Sequence, residues 1–395
     1  MKRIITLLSL VFLVLGIAGA RDKDSYVKIT AGPYVTNVTG TSFTVIFTTN
    51  MDAVGWVEIA PDDDTHFYNV ERESWYDKRG LGRKPIGKTH KITVSGLEPG
   101  TTYRYRAMTK GVLEQEHRKS IVYTEGYGTD LKKHPCKVTT RKENYDKLYF
   151  SMVNDVHSAD SVFRKLFADA RNKYDFVCFN GDMLSAVDSE AMIMSDYMKS
   201  AAKLFADRTP IHYVRGNHEY RGNDALKLYD YIDTPGGKTY YSFTYGEFFF
   251  LFLDGGEDKC MSDVRNLDIM ITEDYVKEEA EWLQQQIQSP EFKNAAVRIA
   301  FCHMPPQPKG WYGNATVHKY LAQPLDKAGL DLMLCGHIHK FKQFKDEDTG
   351  VSFPVVCNAN LERMDVTVTK NEIRLEVFNP DGSKIRNLAF PVKRQ

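Results

Sequence analysis

Five apolar runs in the C-terminal part of this 395-residue sequence end in side chains that can donate to a cation. "LYFSMVNDVH" closes on Asp155 and His157, "FVCFNGD" on Asp182, and "IHYVRGNHE" on Asn217 and His218. "IAFCH" closes on His303, and "LMLCGHIH" on His337 and His339. Carboxylate, carboxamide and imidazole donors suit borderline divalent ions such as zinc, manganese or iron, and no thiolate set of the structural-zinc kind accompanies them. Singly, each has an ordinary reading. An Asp after a strand is usually a turn or cap, and a lone His is a satisfied polar side chain. Gly181, Gly216 and Gly336 beside them read as residues of tight turns. Jointly they ask for one explanation, because sites in open α/β sheets form just outside the carboxyl ends of the strands, where five such ends converge.

The elements that would carry these ends alternate. From Lys147 onward the apolar runs are separated by helical stretches, "SVFRKLFADARNK", "EAMIMSDYMKSAAKLFA" and "EDYVKEEAEWLQQQI", with apolar residues at three- and four-residue spacing. This pattern predicts an α/β domain with much parallel pairing over 147–395. Its end, "MDVTVTKNEIRLEVFNPDGSKIRNLAF", predicts antiparallel strands joined at "KNE" and "NPDGS". Residues 26–142 read as a separate all-β domain, with "TSFTVIFTTN", "HKITVSGL" and "TTYRYRAM" as strands and a polar excursion over 62–87. "GLEPGTTYRYRA" resembles a fibronectin type III sandwich. That resemblance implies Leu97 in the core and a Tyr103 hydroxyl bonded back to backbone a few residues upstream.

Lys plus Arg and Asp plus Glu are both 52, which gives no electrostatic footprint for nucleic acid or an anionic membrane. The first residues, "MKRIITLLSLVFLVLGIAGA", have basic residues, a short apolar run and an A-x-A pattern, so residues 1–20 read as a signal peptide cleaved after Ala20. The expectation is a secreted or periplasmic protein without a membrane anchor. Export permits disulfides among the six cysteines. Cys178, Cys302 and Cys335 read as small buried thiols, while Cys136, Cys260 and Cys357 are freer to pair.

The order D-x-H, GD, GNHE, H, GHxH is that of the calcineurin-like metallophosphoesterase superfamily, which this sequence resembles through "DVH", "GD", "GNHE", "CH" and "GHIH". The all-β module in front resembles the domain plan of purple-acid-phosphatase-like enzymes. The resemblance implies two sheets flanked by helices and two metal ions (Mn, Zn or Fe). The first ion would take Asp155, His157 and His339, the second Asn217, His303 and His337, with Asp182 bridging. It also implies hydrolysis of a small-molecule phosphate ester by a metal-bridging hydroxide, with His218 beside the leaving group and Glu219 as an organising residue. Phosphomonoesters are the favoured substrates. A phosphodiesterase or nucleotide pyrophosphatase is the alternative, and a non-catalytic binding or adhesion module with structural metals the second. Purple acid phosphatases place a tyrosine ligand shortly after GD; here Ser185 stands there, so no tyrosinate–iron band is expected. The arginine of the protein phosphatases' GDxVDRG motif is missing too. Candidate substrate contacts are Arg215 and, on the loop after His303, Trp311, Tyr312 and His318. Asp254 is a candidate for supporting the site from behind.

Overall fold

The computed structural model describes residues 26–392 except 116–119, 133 and 268; the signal-peptide reading of residues 1–20 lies outside the described residues. Among the described residues the strands form a 13-stranded and a six-stranded sheet.

The C-terminal part, from Lys147 onward, is a mixed α/β structure built on both sheets. In the larger sheet, Lys147–Val153, Phe176–Asn180 and Ile211–Val214 run parallel, and Arg363–Thr369, Glu372–Phe378 and Lys384–Pro391 extend it antiparallel as the sequence predicts. In the smaller sheet, Phe248–Leu253, Val297–Cys302, Leu332–Cys335 and Val355–Cys357 are parallel neighbours. These strands read as continuous apolar runs because both faces are covered. Alternation decides which residue faces which layer: Phe150, Phe176, Phe250, Phe252, Ile299, Phe301 and Leu334 meet between the sheets. Phe150 stacks on Phe176 at 4.5 Å and Phe252 on Phe301 at 4.9 Å. The intervening Val177 and Phe179 face an outer layer with Phe163, Tyr197 and Phe205, while Leu251, Ala300 and Met333 face one with Val276 and Leu283.

The helices supply those outer layers. Thr272–Gln288 buries Val276, Glu279, Leu283 and Ile287, the three- and four-residue spacing of one helical face. The stretch 190–206 is helical throughout but alternates α turns with π turns at Met194–Met198 and Ala202–Ala206. The stretch expected to be helical over 161–173 is so only in Asp160–Leu166. Phe167 and Ala170 reach the same core from turns, and Asn172 reverses the chain at a φ of 59°.

The N-terminal β region has its own core of Val35, Phe43, Val45, Phe47, Val57, Ile92, Val94, Tyr105 and Val138. Leu97 joins it, and the Tyr103 hydroxyl accepts from Glu98 N at 3.0 Å, the upstream contact expected of that corner. The polar excursion holds one short strand, Ser74–Tyr76, paired on Ser42–Pro61. This region is not a bead on a linker. Ile29–Thr36 pairs in parallel with Ile211–Val214 at Thr36 and Ile211, so the larger sheet runs through both parts. Ala31, Tyr34 and Ile46 belong to the same core as Phe163 and Phe179.

All six cysteines are free thiols. Cys136 and Cys357, read as freer to pair, are buried like Cys178, Cys302 and Cys335; Cys260 is exposed. No described helix is long and apolar enough to cross a membrane.

Candidate metal centre

The ligand-bearing loops are zipped to one another by backbone. Asp155 N donates to Gly181 O at 3.0 Å, His157 N to Asp182 O at 3.1 Å, and Gly336 N to His303 O at 2.9 Å. The zip holds an unfavourable conformation: Asp155, His157, Asp182, His337 and His339 have φ between 45° and 72°. Left-handed backbone costs a side-chain-bearing residue on the order of 1 kcal/mol, and such residues gather where function requires them. The glycines are explained by room rather than by turns alone. A Cβ on Gly216 would lie 2.2 Å from Asp182 Oδ1, and one on Gly336 would lie 2.8 Å from Asp155 Oδ2.

The result is two donor clusters side by side. Asp155, His157 and His339 bring ligand atoms within 4.8 Å of one another, and so do Asp182, His303 and His337. Asp182 also groups with His157 and His218, so it faces both clusters. Asn217 Oδ1 lies 3.0 Å from His337 Nδ1 and completes the second. The seven expected ligands thus come together at the carboxyl ends of strands from both sheets.

Their chemistry fits cations. His157 Nε2 and His339 Nε2 face each other at 3.0 Å, a contact that needs a proton or metal between two lone pairs. Asp155 Oδ1, His303 Nε2 and His337 Nε2 are buried without an aligned hydrogen bond, Asp155 Oδ1 having a charge contact with His339 Nε2 at 3.2 Å. Such orphans are costly unless something satisfies them. His303 Nε2 does approach Asp182 Oδ2 at 3.1 Å, a charge contact rather than an aligned hydrogen bond. Its Nδ1–H donates to Asn180 O at 2.8 Å, which fixes the tautomer and presents Nε2 to the pocket.

Electrostatics agree. Burial opposes the His303 imidazolium, yet the Asp182 and Asp155 carboxylates overcome it and push its pKa up to about 10. Burial, then the neighbouring His303, pushes His337 down to about 4. Burial would raise Asp182, but His303 and His218 hold it well below the usual carboxylate range. The same two carboxylates that favour the His303 imidazolium would favour a metal cation in its place.

Around the donors is a polar shell. Glu219, fully buried, accepts from Asp182 N at 2.8 Å, Gly216 N at 2.8 Å and Leu184 N at 3.2 Å, the organising part read for it in the sequence. Glu219→Ala removes the acceptor joining the two loops, and metal affinity is expected to fall about 10- to 100-fold; a metal titration with elemental analysis would check this. Asn154 and Asn358 escaped the sequence reading. Asn154 Nδ2 donates to Asp155 Oδ2 at 2.6 Å and to Asn358 O, and Asn358 Nδ2 returns a bond to Asn154 Oδ1. The available signal was position: Asn358 directly follows Val355–Cys357, one more strand ending at this rim.

The substrate candidates divide. Trp311 is 61% exposed and stands edge-on to His337 at 5.4 Å, at the mouth. Arg215 is turned away: its guanidinium is paired with fully buried Asp254 at 2.9 Å and lies over the Tyr220 ring at 3.6 Å. An ion pair with a desolvated carboxylate outcompetes reach into the pocket. Asp254 is a supporting residue, also accepting from Tyr220 Oη at 2.7 Å. Tyr312 points its hydroxyl at Glu273 on the neighbouring helix, and His318 packs against Gly350; neither joins the donor clusters. His218 does face them, with Nε2 3.9 Å from Asp182 Oδ2 and Nδ1 donating to Ser185 O at 2.6 Å.

Residues 150–341 match the family described as Calcineurin-like phosphoesterase. The chain carries a calcineurin-like phosphoesterase domain. In front of the phosphoesterase domain, residues 33–124 match the purple acid phosphatase N-terminal domain. Purple acid phosphatase 21 of Arabidopsis thaliana is 21% identical over 296 residues, 68% of this chain and 58% of the plant protein. The chain therefore spans less than two thirds of that relative. Among solved structures, a purple acid phosphatase from yellow lupin (Lupinus luteus) seeds aligns at a TM-score of 0.62 and 14% identity, over 91% of this chain and 74% of that one. The structure of PhoD aligns at 0.58 and 13%, over 91% and 93%. At these identities the likeness establishes the fold: a two-sheet phosphoesterase domain behind an N-terminal β domain.

Proposed function

We propose that the protein is an exported phosphatase that hydrolyses phosphomonoesters at a dinuclear metal centre. The observation that carries this is Asp182, shared between two buried donor clusters whose orphaned atoms await cations. Asp155, His157 and His339 would hold one ion and Asn217, His303 and His337 the other. Bound there, the ions supply an activated water and positive charge against the phosphoryl oxygens. Of the seven ligands only Asp155 and Asp182 are carboxylates, so two divalent ions would leave a net positive pocket suited to a dianionic monoester.

The chain's own part is positioning. His218, tied to Ser185 O through Nδ1, turns Nε2 to the mouth, where in its protonated form it can donate to a phosphoryl or leaving-group oxygen. Glu219 and the zipped loops fix the donors before substrate arrives. A retired binding module would have little reason to maintain five left-handed ligands and three buried orphan atoms. Export rests on the pattern of residues 1–20 alone.

The test uses the chain from Arg21, loaded separately with manganese, zinc and iron, on matched aryl phosphomonoester and phosphodiester substrates. A monoester preference that Asn217→Ala abolishes is the expected result. Diester preference would transfer the assignment to a phosphodiesterase, and silence with every metal would leave the non-catalytic reading.

A further inference from the structure

One cation borders the donor clusters without belonging to any recognised motif. Arg221 follows the His218–Tyr220 turn, and its Nη1 lies 3.4 Å from His218 Nε2. The rest of its guanidinium is already engaged. Nη2 donates to Glu257 Oε1 at 2.6 Å and Asp258 Oδ1 at 2.7 Å, and Nε to Glu257 Oε2 at 3.3 Å. Both carboxylates are almost fully buried, with side-chain exposures of 0% and 3%, so they anchor the fork, and Nη1, in contact with His218 Nε2, is the nitrogen on the side of the donor clusters. Asp258 in turn pairs with Lys259, whose ammonium lies 4.6 Å from the centre of the Trp311 ring, and Trp311 borders His337. A continuous wall thus runs from His218 around the mouth to His337. Within it Arg221 adds a directed donor rather than net charge, because Glu257 and Asp258 together offset Arg221 and Lys259.

We propose that Arg221 is a specificity residue whose Nη1 takes the phosphoryl oxygen that the metal ions leave free, and so selects monoesters over diesters. This rests on the phosphoester-hydrolase reading above. A monoester phosphoryl group carries three non-bridging oxygens. If the ions that Asp155, Asp182 and the other donors would hold took up two of them, the third would be open to Nη1 beside His218. A diester carries an ester group at that third position, which accepts the donor poorly and crowds the held guanidinium. Glu257 and Asp258 are positioning residues that aim it.

Arg221→Lys is the sharpest variant. An ammonium keeps the charge that Glu257 and Asp258 require but cannot span both carboxylates and the pocket as a planar fork does. In the metal-loaded chain, with metal content and unfolding temperature unchanged, kcat/KM for the aryl phosphomonoester is expected to fall about 10- to 100-fold. The matched diester is expected to change less than about threefold, so the preference collapses. Calorimetric titration with inorganic phosphate supplies a readout independent of turnover, and its Kd is expected to weaken by about 10-fold or more. Equal losses on both esters, or unaltered phosphate affinity, would overturn the assignment while leaving the enzyme reading intact. A wild-type chain inert toward both esters would overturn that reading and this assignment together.

Discussion

Asp182→Asn is expected to lower turnover on the order of 10³-fold while leaving the fold in place. The substitution keeps volume and one oxygen, so the bond from His218 N to Asp182 Oδ1, 2.9 Å in the wild type, can persist. What it removes is the charge and the second anionic oxygen, the features that let one side chain serve both clusters. His303 loses the nearer of the two carboxylates that hold it charged, and its imidazole should fall toward neutrality in the metal-free protein. Elemental analysis should show fewer than two ions per chain, with turnover falling in step. A variant that retains two ions and wild-type turnover would show that Asp182 is not the bridge.

The second large effect concerns the N-terminal region. A chain beginning at Lys142 is expected to be insoluble or to lack a cooperative unfolding transition, whereas the full chain is expected to unfold in one. The reason is shared structure rather than surface contact. Tyr34 and Ile46 are fully buried in the core that contains Phe163 and Phe179, and the Tyr34 hydroxyl donates to Tyr231 O at 2.7 Å. Tyr105 Oη donates to Asp207 O at 2.8 Å, and Lys91 Nζ to Tyr229 O at 2.6 Å and Ile232 O at 2.8 Å. Removing the region uncovers the apolar face that these residues bury, and each lost hydrogen bond costs about 0.5–1.5 kcal/mol besides. Thermal unfolding and fragment solubility decide the matter. A shortened chain that folds and turns over substrate would mean that the shared core is dispensable.

Much of this was legible in the sequence. The strand runs, the long helix Thr272–Gln288 and the candidate metal donors at the strand ends could be read because each depends on a local rule. Period-two and three-to-four spacing fix element type, and a strand's end must be followed by a turn where polar donors are tolerated. The tyrosine corner was legible for the same reason, since Tyr103 and Glu98 are close in sequence. The helix expected over 161–173 failed because Phe167 and Ala170 are held by tertiary burial, which a turn serves as well as a helix. Asn154 and Asn358 went unseen because their partnership joins residues 204 apart.

The two arginines flanking the GNHE block mark the boundary. The sequence by itself determined that candidate metal donors would stand at the carboxyl ends of the strands, and in what order. It placed Arg215 and Arg221 near them but held no information about which one borders the donor clusters. Tertiary structure decided that, since a long cationic side chain goes where a desolvated carboxylate waits. Asp254 draws Arg215 away, while Glu257 and Asp258, more than thirty residues downstream, hold Arg221 beside His218.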